Sequence, residues 1–149
     1  MFAIRFLAAL MCLISWVAMA SAANRGYGTA YSKPYRMNAT GKNACQFNAK
    51  KLAKRWQVYY AALNEADWKK AGVKRGKSKA CGRCLKVKGL QRRRGHRQKN
   101  VIVKIVDLCP KWACKKGNVD FSTKALKDIT GYSWDKKKIQ WSFTRCPKK

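Results

Sequence analysis

Carboxyl groups are scarce in this sequence, so the few that exist are the first candidates for chemistry. The 149-residue chain has 6 Asp and Glu against 35 Lys and Arg. Asp107 follows the apolar run 101–106, and Asp120 lies two residues before Ser122. Either could act as a general acid in a site that works with one carboxyl group. Each also has a structural interpretation, Asp107 as an acceptor in a turn and Asp120 as a charge that favours a helix start.

The N-terminal segment has the pattern of a secretory signal peptide. Arg5 precedes an apolar run from Phe6 to Met19, which is too short to span a bilayer and is followed by small residues. We predict cleavage after Ala22, which leaves residues 23–149 as one secreted, extracellular domain. A transmembrane anchor is the competing interpretation. No later segment is apolar for the roughly 18 residues that a span requires, so no membrane span is expected.

Cysteine usage predicts a framework of disulfides. The chain has 7 cysteines, of which Cys12 lies in the predicted signal. The spacings of Cys81 with Cys84 and of Cys109 with Cys114 resemble those of zinc ligands. Secretion favours oxidation instead, and the second pair is separated by four residues, including Pro110. The motif Cys81-Gly82-Arg83-Cys84 could also indicate a thioredoxin-like redox site. Such a site lies at the start of a helix, whereas this motif leads into a strand-like run. We therefore expect three disulfides and no metal or cofactor. The cysteines concerned are Cys45, Cys81, Cys84, Cys109, Cys114 and Cys146.

The positive charge calls for a partner of its own. Arg5 is the only charged residue of the predicted signal, so the formal net charge of +29 becomes +28 in the mature chain. Such a charge favours a screened, salt-dependent attraction to acidic glycans, anionic mineral, microbial envelopes or, without sequence specificity, nucleic acid. His96, the only histidine, is interpreted as a solvated residue of a basic segment. The candidate anion-binding residues are Arg92, Arg93, Arg94, Arg97 and Lys99.

The first half of the mature chain predicts short elements. A strand is expected at 27–31 and a polar loop at 33–43, whereas 46–63 fits neither the helical nor the strand period clearly. Asn64 is the predicted N-cap of a short helix, because acidic residues follow it in the first turn. Gly72 is expected to end that helix.

The second half predicts a hairpin, a helix and a final strand. Two runs rich in β-branched residues flank the segment 91–99, which is the expected basic tip of a β-hairpin. A helix is predicted from Phe121 to Thr130, with Ser122 as N-cap and Gly131 as its stop. The alternation within 138–145 predicts a last strand with one buried face. Together these elements favour a mostly β barrel or sandwich.

Several short motifs resemble one known family in their order and spacing. The sequence is similar to the double-psi β-barrel of expansin, barwin and kiwellin-type proteins, which is related to family 45 endoglucanases. The resemblance covers nearly the whole mature chain. It implies a mostly β fold, namely a six-stranded double-psi β-barrel with short helices, stapled by disulfides. The motifs are Gly28-Thr29-Ala30-Tyr31, Ala44-Cys45-Gln46-Phe47, Ala61-Ala62-Leu63-Asn64, 81–87, 103–110, 119–126 and 139–143.

The resemblance also implies pairings and roles for particular residues. It pairs Cys45 with Cys81, Cys84 with Cys146 and Cys109 with Cys114, where the sequence alone leaves fifteen possibilities open. In the related endoglucanases the catalytic acid lies in the segment that matches 118–122, which makes Asp120 the candidate acid. Their catalytic base closely follows the early aromatic residue, but Tyr31 is followed by Ser32-Lys33-Pro34-Tyr35. Expansins likewise keep the Asp without the base, and they loosen walls without cutting them.

Other residues are candidates for holding a polysaccharide. Thr29 and Tyr31 match positions that line the expansin groove, although both could equally be packing residues of a strand. Asp107 and Asp120 would share that groove. Aromatic rings stack on sugar faces, so aromatic residues in exposed loops could form a binding platform for the polysaccharide. The aromatic candidates in loop-like segments are Trp112, Tyr132 and Trp134, whereas Trp141 has the alternation of a core residue.

The sequence therefore predicts a secreted, non-hydrolytic, expansin-like protein, not an enzyme. It is expected to be a monomer that binds, and can loosen, cell-wall or matrix polysaccharide, with strong affinity for anionic surfaces. Two alternatives remain open. One is a cationic defence or matrix protein that uses the barrel only as a scaffold. The other is a glycan-cleaving enzyme that manages with a single acid, Asp120 or Asp107.

Overall fold

The computed structural model describes residues 22–148, and the predicted signal at 1–22 lies almost entirely outside the described residues. Eight strands and three α-helices make up this part of the chain, together with a 3₁₀ turn at Ala49–Lys51. The strands are β1 Asn24–Ser32, β2 Tyr60–Asn64, β3 Val73–Lys74, β4 Lys77–Ser78, β5 Cys84–Gly89, β6 Val101–Cys109, β7 Val119–Ser122 and β8 Lys137–Thr144. The helices are α1 Lys54–Val58, α2 Glu65–Lys70 and α3 Thr123–Thr130.

Six of the strands close into a barrel in the order β1-β7-β2-β6-β5-β8. Two of the pairings, β1 with β7 and β2 with β6, are parallel, and the others are antiparallel. The remaining strands, β3 and β4, form a small separate hairpin. Closure leaves no free edge in the barrel. The predicted fold class, a mostly β six-stranded barrel with short helices, is confirmed.

Alternating side chains fill the barrel interior. The inward positions carry large apolar groups, each of which contributes about 1.5–3 kcal/mol when fully buried. Trp141 is buried and its indole N–H donates to the backbone oxygen of Gly117 at 2.7 Å, which satisfies the one polar atom of the ring. Helix α3 closes one end of the barrel with Ala125, Leu126 and Ile129. The largest buried side chains of this core also include Phe121, Leu63, Leu85, Ile105 and Ile139.

The segment between β1 and β2 covers part of the outer face of the barrel. Tyr60 points outward from β2, yet it is fully buried because Met37 and Val106 pack against it. Its hydroxyl donates to the backbone oxygen of Lys33 at 2.6 Å, and Ser32 Oγ lies 2.6 Å away. This cover leaves the neighbouring outer surface of the same strands open.

Three disulfides fix the loops to the barrel. They join Cys45 to Cys81, Cys84 to Cys146 and Cys109 to Cys114, the pairings that the family resemblance implies. The first two close segments of 36 and 62 residues, so they constrain the unfolded chain far more than the third, which spans 5. For a chain with so large a positive charge, this constraint offsets part of the self-repulsion.

Two sequence-based assignments need correction. The predicted second helix was placed from Phe121, but α3 begins at Thr123, and Phe121 lies in β7 with its side chain in the core. Ser122 is nevertheless the N-cap, since its Oγ accepts from Ala125 N–H at 3.2 Å, and Gly131 ends the helix at φ 85°. The region 46–63, which the sequence left unassigned, holds a 3₁₀ turn, α1 and the start of β2.

The described residues contain no helix long and apolar enough to cross a membrane.

Candidate functional site

Four outward-facing positions line up across the barrel on neighbouring strands. Thr29 of β1 pairs with Asp120 of β7, and Asp120 pairs with Ala62 of β2. Ala62 in turn pairs with Asp107 of β6. We call the open surface formed by these four residues, together with Tyr31, the groove face. Since adjacent strands lie about 4.8 Å apart, the Cα atoms of the two aspartates are separated by roughly 9.5 Å, with only a methyl side chain between them.

The Asp120 carboxyl group is held in a desolvated position. Thr29 Oγ1 donates to Asp120 Oδ1 at 2.8 Å. Burial raises the pKa of Asp120 from its ordinary value of 3.8 to about 6, and the charge of Asp107 adds to the effect, while the bond from Thr29 opposes it. A carboxyl group with this pKa is largely protonated in mildly acidic solution. It can therefore donate a hydrogen bond or a proton to a sugar oxygen.

The Asp107 carboxyl group has a structural task besides its position in the groove face. Its Oδ1 accepts from the backbone N–H groups of Ala44 and Leu108, each at 2.8 Å. The first of these bonds fastens the loop that carries Cys45 to the barrel. Burial raises the pKa of Asp107, and the two backbone donors act in the opposite direction. Asp107 lies within β6 and not in a turn, so the turn interpretation is wrong, although its carboxylate does accept backbone hydrogen bonds.

Tyr31 connects the groove face to the covered part of the barrel. Its ring meets the ring of Tyr60 edge-on at 5.8 Å and packs against Ala62 and the Cys109–Cys114 disulfide. Its hydroxyl is buried and has no hydrogen-bond partner within residues 22–148. The pKa of Tyr31 is raised far above its ordinary value by burial first, then by the charges of Asp107, Tyr60 and Asp120. The hydroxyl therefore stays protonated beside the two carboxyl groups.

A small disulfide-closed loop presents Trp112 at one side of the groove face. The side chain of Trp112 is 88% exposed, although the loop itself is firmly held. Backbone N–H groups of Ala113 and Cys114 both donate to the oxygen of Pro110 at 2.9 Å. Glu65 Oε2 also accepts from the N–H of Lys111 at 3.1 Å. The loop therefore offers a rigidly mounted, solvent-facing indole, which suits stacking on a sugar ring.

The other aromatic candidates lie at the opposite, β1–β8 side. Trp134 is 55% exposed, and the ring of Tyr132 lies 4.2 Å below Lys137 Nζ. The sequence did not single out Tyr27, which is partly exposed and lies two positions before Thr29 on the same face of β1. Lys136 Nζ lies 4.7 Å over the Tyr27 ring. The alternation of Tyr27, Thr29 and Tyr31 was the signal that could have identified it.

The basic candidate residues are not part of the groove face. Arg92, Arg93, Arg94, Arg97 and Lys99 are all exposed, in the loop between β5 and β6. His96 was interpreted as a solvated residue of this loop, and that interpretation is wrong. Its Nε2 lies 2.9 Å from the backbone oxygen of Asp128, because the loop folds down on the C-terminal end of α3.

Within residues 22–148 no cluster of three or more His, Cys, Asp or Glu side chains could hold a metal ion.

The closed barrel, its paired parallel strands and its carboxyl-bearing outer face define the class of double-psi β-barrels. The family model described as EXPB1-like domain 1 matches residues 27–135. The chain belongs to this family. Comparison with curated proteins gave no match.

Solved structures of low sequence identity share the fold. The apo expansin of Clavibacter michiganensis aligns with a TM-score of 0.60 at 21% identity, over 86% of this chain and 53% of that one. This chain therefore spans about half the length of that expansin. The β-1,4-D-endoglucanase Cel45A from the blue mussel Mytilus edulis aligns at 0.55 and 17% identity, over 83% and 79% of the two chains. A Streptomyces papain inhibitor aligns at 0.54 and 19% identity, over 83% and 96%.

Proposed function

We propose that this protein is a secreted, non-hydrolytic, expansin-like protein that binds cell-wall or matrix polysaccharide through the groove face and can loosen it. The observation that carries the proposal is the outward-facing row Thr29, Asp120, Ala62 and Asp107 on a barrel of the EXPB1-like domain 1 family, in which Ala62 is buried and the other three are half-buried. The row offers carboxyl and hydroxyl groups at a shallow open surface. Sugar hydroxyl groups are the natural partners of such groups.

Exposed aromatic residues at both sides of the row support a polysaccharide as the ligand. Trp112 lies on one side, and Tyr27 and Trp134 on the other, so a chain of several sugar rings could contact aromatic faces at its two ends and carboxyl groups in the middle. A Clavibacter michiganensis expansin variant has been solved in complex with cellohexaose. That complex supports a β-linked glucan as the first ligand to test with this chain.

The lack of an acidic residue between Tyr31 and Glu65 supports binding without hydrolysis. Inverting hydrolysis requires a base that holds a water molecule against the sugar, in addition to the acid. No acidic residue follows Tyr31 before Glu65 in the sequence. Asp107 has Oδ1 occupied by two backbone donors, which ties that carboxylate to loop anchoring. Asp120 would then bind sugar hydroxyl groups, and its partner Thr29 would orient it.

The large positive charge supports affinity for anionic surfaces in addition to the groove. A formal charge of +29 over 149 residues raises the local concentration of any polyanion near the protein. Secretion, processing after Ala22, residues 23–149 as a single domain and a monomeric state belong to the same proposal.

A binding panel with matched variants tests the groove. Wild-type protein should co-sediment with insoluble β-glucan, and Asp120→Asn and Trp112→Ala should weaken that binding at constant salt. Lys74→Gln removes an exposed charge from the β3–β4 hairpin and Leu90→Ala removes an exposed apolar group on the far side of the barrel, so both should bind like wild type. Release of reducing sugar should stay at background for every variant. Equal binding by all five proteins would show that the groove face is not the binding site.

One observation favours a second candidate, a glycan-cleaving enzyme with a single acid. The pKa of Asp120, raised to about 6 by burial, is in the range in which a carboxyl group works as a general acid. The distinguishing result is product release that rises as the pH falls through 6 and disappears in Asp120→Asn. Extension of a polysaccharide film under load without product release would instead favour loosening.

A further inference from the structure

Charge is divided between two opposite sides of the barrel. In the closed order β1-β7-β2-β6-β5-β8, β5 is three strands from β7 in either direction, so it lies diametrically across the barrel from Asp120. The groove face carries two of the six acidic residues, Asp107 and Asp120. The outward positions of β5 and β8 carry Lys86, Lys88 and Lys138 instead. The outward strand positions of the two sides therefore present different groups, carboxyl groups on one and lysines on the other, although exposed lysines also flank the groove face at 111, 115, 116 and 136.

The loop that leaves β5 extends this positive surface. Leu90 and Gln91 both donate through backbone N–H to the oxygen of Lys138, at 2.8 and 3.1 Å, which binds the start of the loop to β8. We call the surface made of the three lysines and this loop the basic face. Its charged residues are Lys86, Lys88, Arg92, Arg93, Arg94, Arg97, Lys99 and Lys138.

The basic loop is a folded structure. Arg93 N–H donates to the oxygen of Thr130 at 2.8 Å, and Arg92 Nη1 donates to the oxygen of His96 at 3.0 Å. At its other end, Lys99 Nζ lies 3.8 Å from Asp128 Oδ1. Asp128 is mostly buried and already bound by Tyr59 and Lys124, at 2.7 Å each, so it neutralises little of the loop's charge. The arginines are thus presented from a fixed base without compensating acids.

The composition of the basic face indicates what it recognises. Its remaining outward positions on β8 are Gln140 and Ser142, which donate and accept hydrogen bonds. Of the exposed large apolar residues, Leu90 adjoins it and Tyr27 of β1 pairs with Lys138, whereas insertion into a membrane surface calls for several. Stacking on unpaired bases would require exposed aromatic rings, which β5, the loop and the outward positions of β8 lack. Arginine forks and lysines among hydroxyl and amide groups suit carboxylate-bearing sugars.

We infer that the barrel is bivalent: the basic face binds an acidic, carboxylate-bearing polysaccharide while the groove face on the opposite side holds a neutral glycan. The inference rests on the proposed function for the groove half and goes beyond it in assigning the charge to one face. Because β5 lies across the barrel from β7, one protein can hold both polymers at once, and the paired residues Lys138 and Tyr27 mark the border between the two surfaces on the β8–β1 side. The protein then acts as a bridge between a neutral and an acidic polysaccharide.

Recruitment of a soluble acidic polymer to an insoluble neutral one tests the bridge. Fluorescently labelled polygalacturonate is mixed with cellulose, with and without the protein, and the label that sediments is measured. Wild type should carry the label down. A basic-face variant, Lys86→Gln, Arg94→Gln, Arg97→Gln and Lys138→Gln, should still bind cellulose but recruit at least about tenfold less label, because fewer counterions are released on contact. All four side chains are exposed, so folding should be retained.

A matched variant separates a defined face from diffuse attraction. Lys70→Gln, Lys74→Gln, Lys77→Gln and Lys79→Gln removes the same charge from exposed residues around the β3–β4 hairpin. It should recruit label nearly as wild type does. Equal losses in the two variants would overturn the inference, and so would displacement of the protein from cellulose by polygalacturonate, which would mean one shared site. Tighter binding of duplex DNA than of polygalacturonate at physiological salt would identify nucleic acid as the partner and would overturn it as well.

Failure of the groove proposal gives a different result. If wild type does not bind cellulose, the fluorescence anisotropy of labelled polygalacturonate with the two variants still measures the basic face alone. If only the basic-face variant then loses affinity for polygalacturonate, the basic face remains the site for the acidic polymer and only the bridge to the neutral glycan is refuted.

Discussion

Replacing Asp120 by Asn should stabilise the protein at neutral pH and have no such effect in acid. The pKa of Asp120 is raised from 3.8 to about 6 by burial. Because each tenfold change in a proton equilibrium is worth about 1.4 kcal/mol, holding the ionised group in the folded protein costs about 3 kcal/mol. Asn keeps an oxygen that can accept the bond from Thr29 Oγ1, so the substitution removes the charge and leaves that contact in place.

The direction follows from proton binding. Below the unfolded pKa near 4, Asp120 is protonated in both states and makes no difference to stability. Between that pH and about 6 the folded state binds more protons than the unfolded state, so stability falls as the pH rises. Above pH 6 the folded protein carries the full cost of holding the ionised Asp120 carboxylate. The free energy of unfolding of Asp120→Asn should therefore exceed that of wild type by up to about 3 kcal/mol at pH 8 and equal it near pH 3.5.

Urea unfolding followed by circular dichroism at a series of pH values measures this difference. Asp135→Asn is the matched control, because it also adds one net positive charge to the chain but removes an exposed carboxylate. Its effect should be small across the series. If Asp120→Asn destabilises the protein at pH 8, or if its effect does not change between pH 4 and 7, the carboxyl group is not desolvated as described and the general-acid alternative loses its basis.

Three further outcomes are expected. Replacing both cysteines of the Cys45–Cys81 or the Cys84–Cys146 disulfide by Ala should lower the free energy of unfolding by about 4 kcal/mol. The same change at Cys109–Cys114 should lower it by about 2 kcal/mol, because the loop entropy grows with the length of the closed segment. Equal losses for the three disulfides would contradict this. Gly26→Ala should abolish folding, since a Cβ there would lie 2.2 Å from the backbone oxygen of Gly117. Gly95→Ala, whose Cβ would have no atom within 4 Å, should lower the stability by only about 1 kcal/mol because of its left-handed φ. The protease resistance of the two expressed variants measures the difference. Asp128→Asn should loosen the basic loop without unfolding the barrel, which faster amide hydrogen exchange at 92–99 and unchanged exchange in β2 and β6 would show.

Local signals in the sequence located α2, α3 and the β5–β6 hairpin but not α1, and they carry no information on long-range strand pairing. Asn64 and Ser122 were identified as N-caps because a short polar side chain before an apolar turn has few other uses. The start of α3 was misplaced because Val119 to Ser122 is too short a strand to show a period of its own. Nothing local indicates that Thr29 meets Asp120 across 91 residues. That neighbourhood came only from the family resemblance.

The same limits apply to the site. The two aspartates could be selected from the sequence because acids are so rare in it. Their separation by Ala62 alone, the anchoring role of Asp107 and the mounting of Trp112 by Glu65 depend on register and loop closure, which composition does not encode. The basic residues were identified correctly as exposed, but the position of β5 across the barrel from β7 follows only from the circular strand order.

The position of β1 in the barrel has a kinetic consequence. β1 is the first strand of the chain, yet its partners are β7 and β8, the last two. During synthesis the strand would leave the ribosome long before any residue with which it can pair, so its tyrosines and glycines must remain unstructured until nearly the whole chain has emerged. Barrels closed by such distant contacts fold in milliseconds to seconds rather than microseconds. Closure of the barrel by β1 is therefore expected only after translation is nearly finished, whereas β2, β5 and β6 can pair with one another earlier.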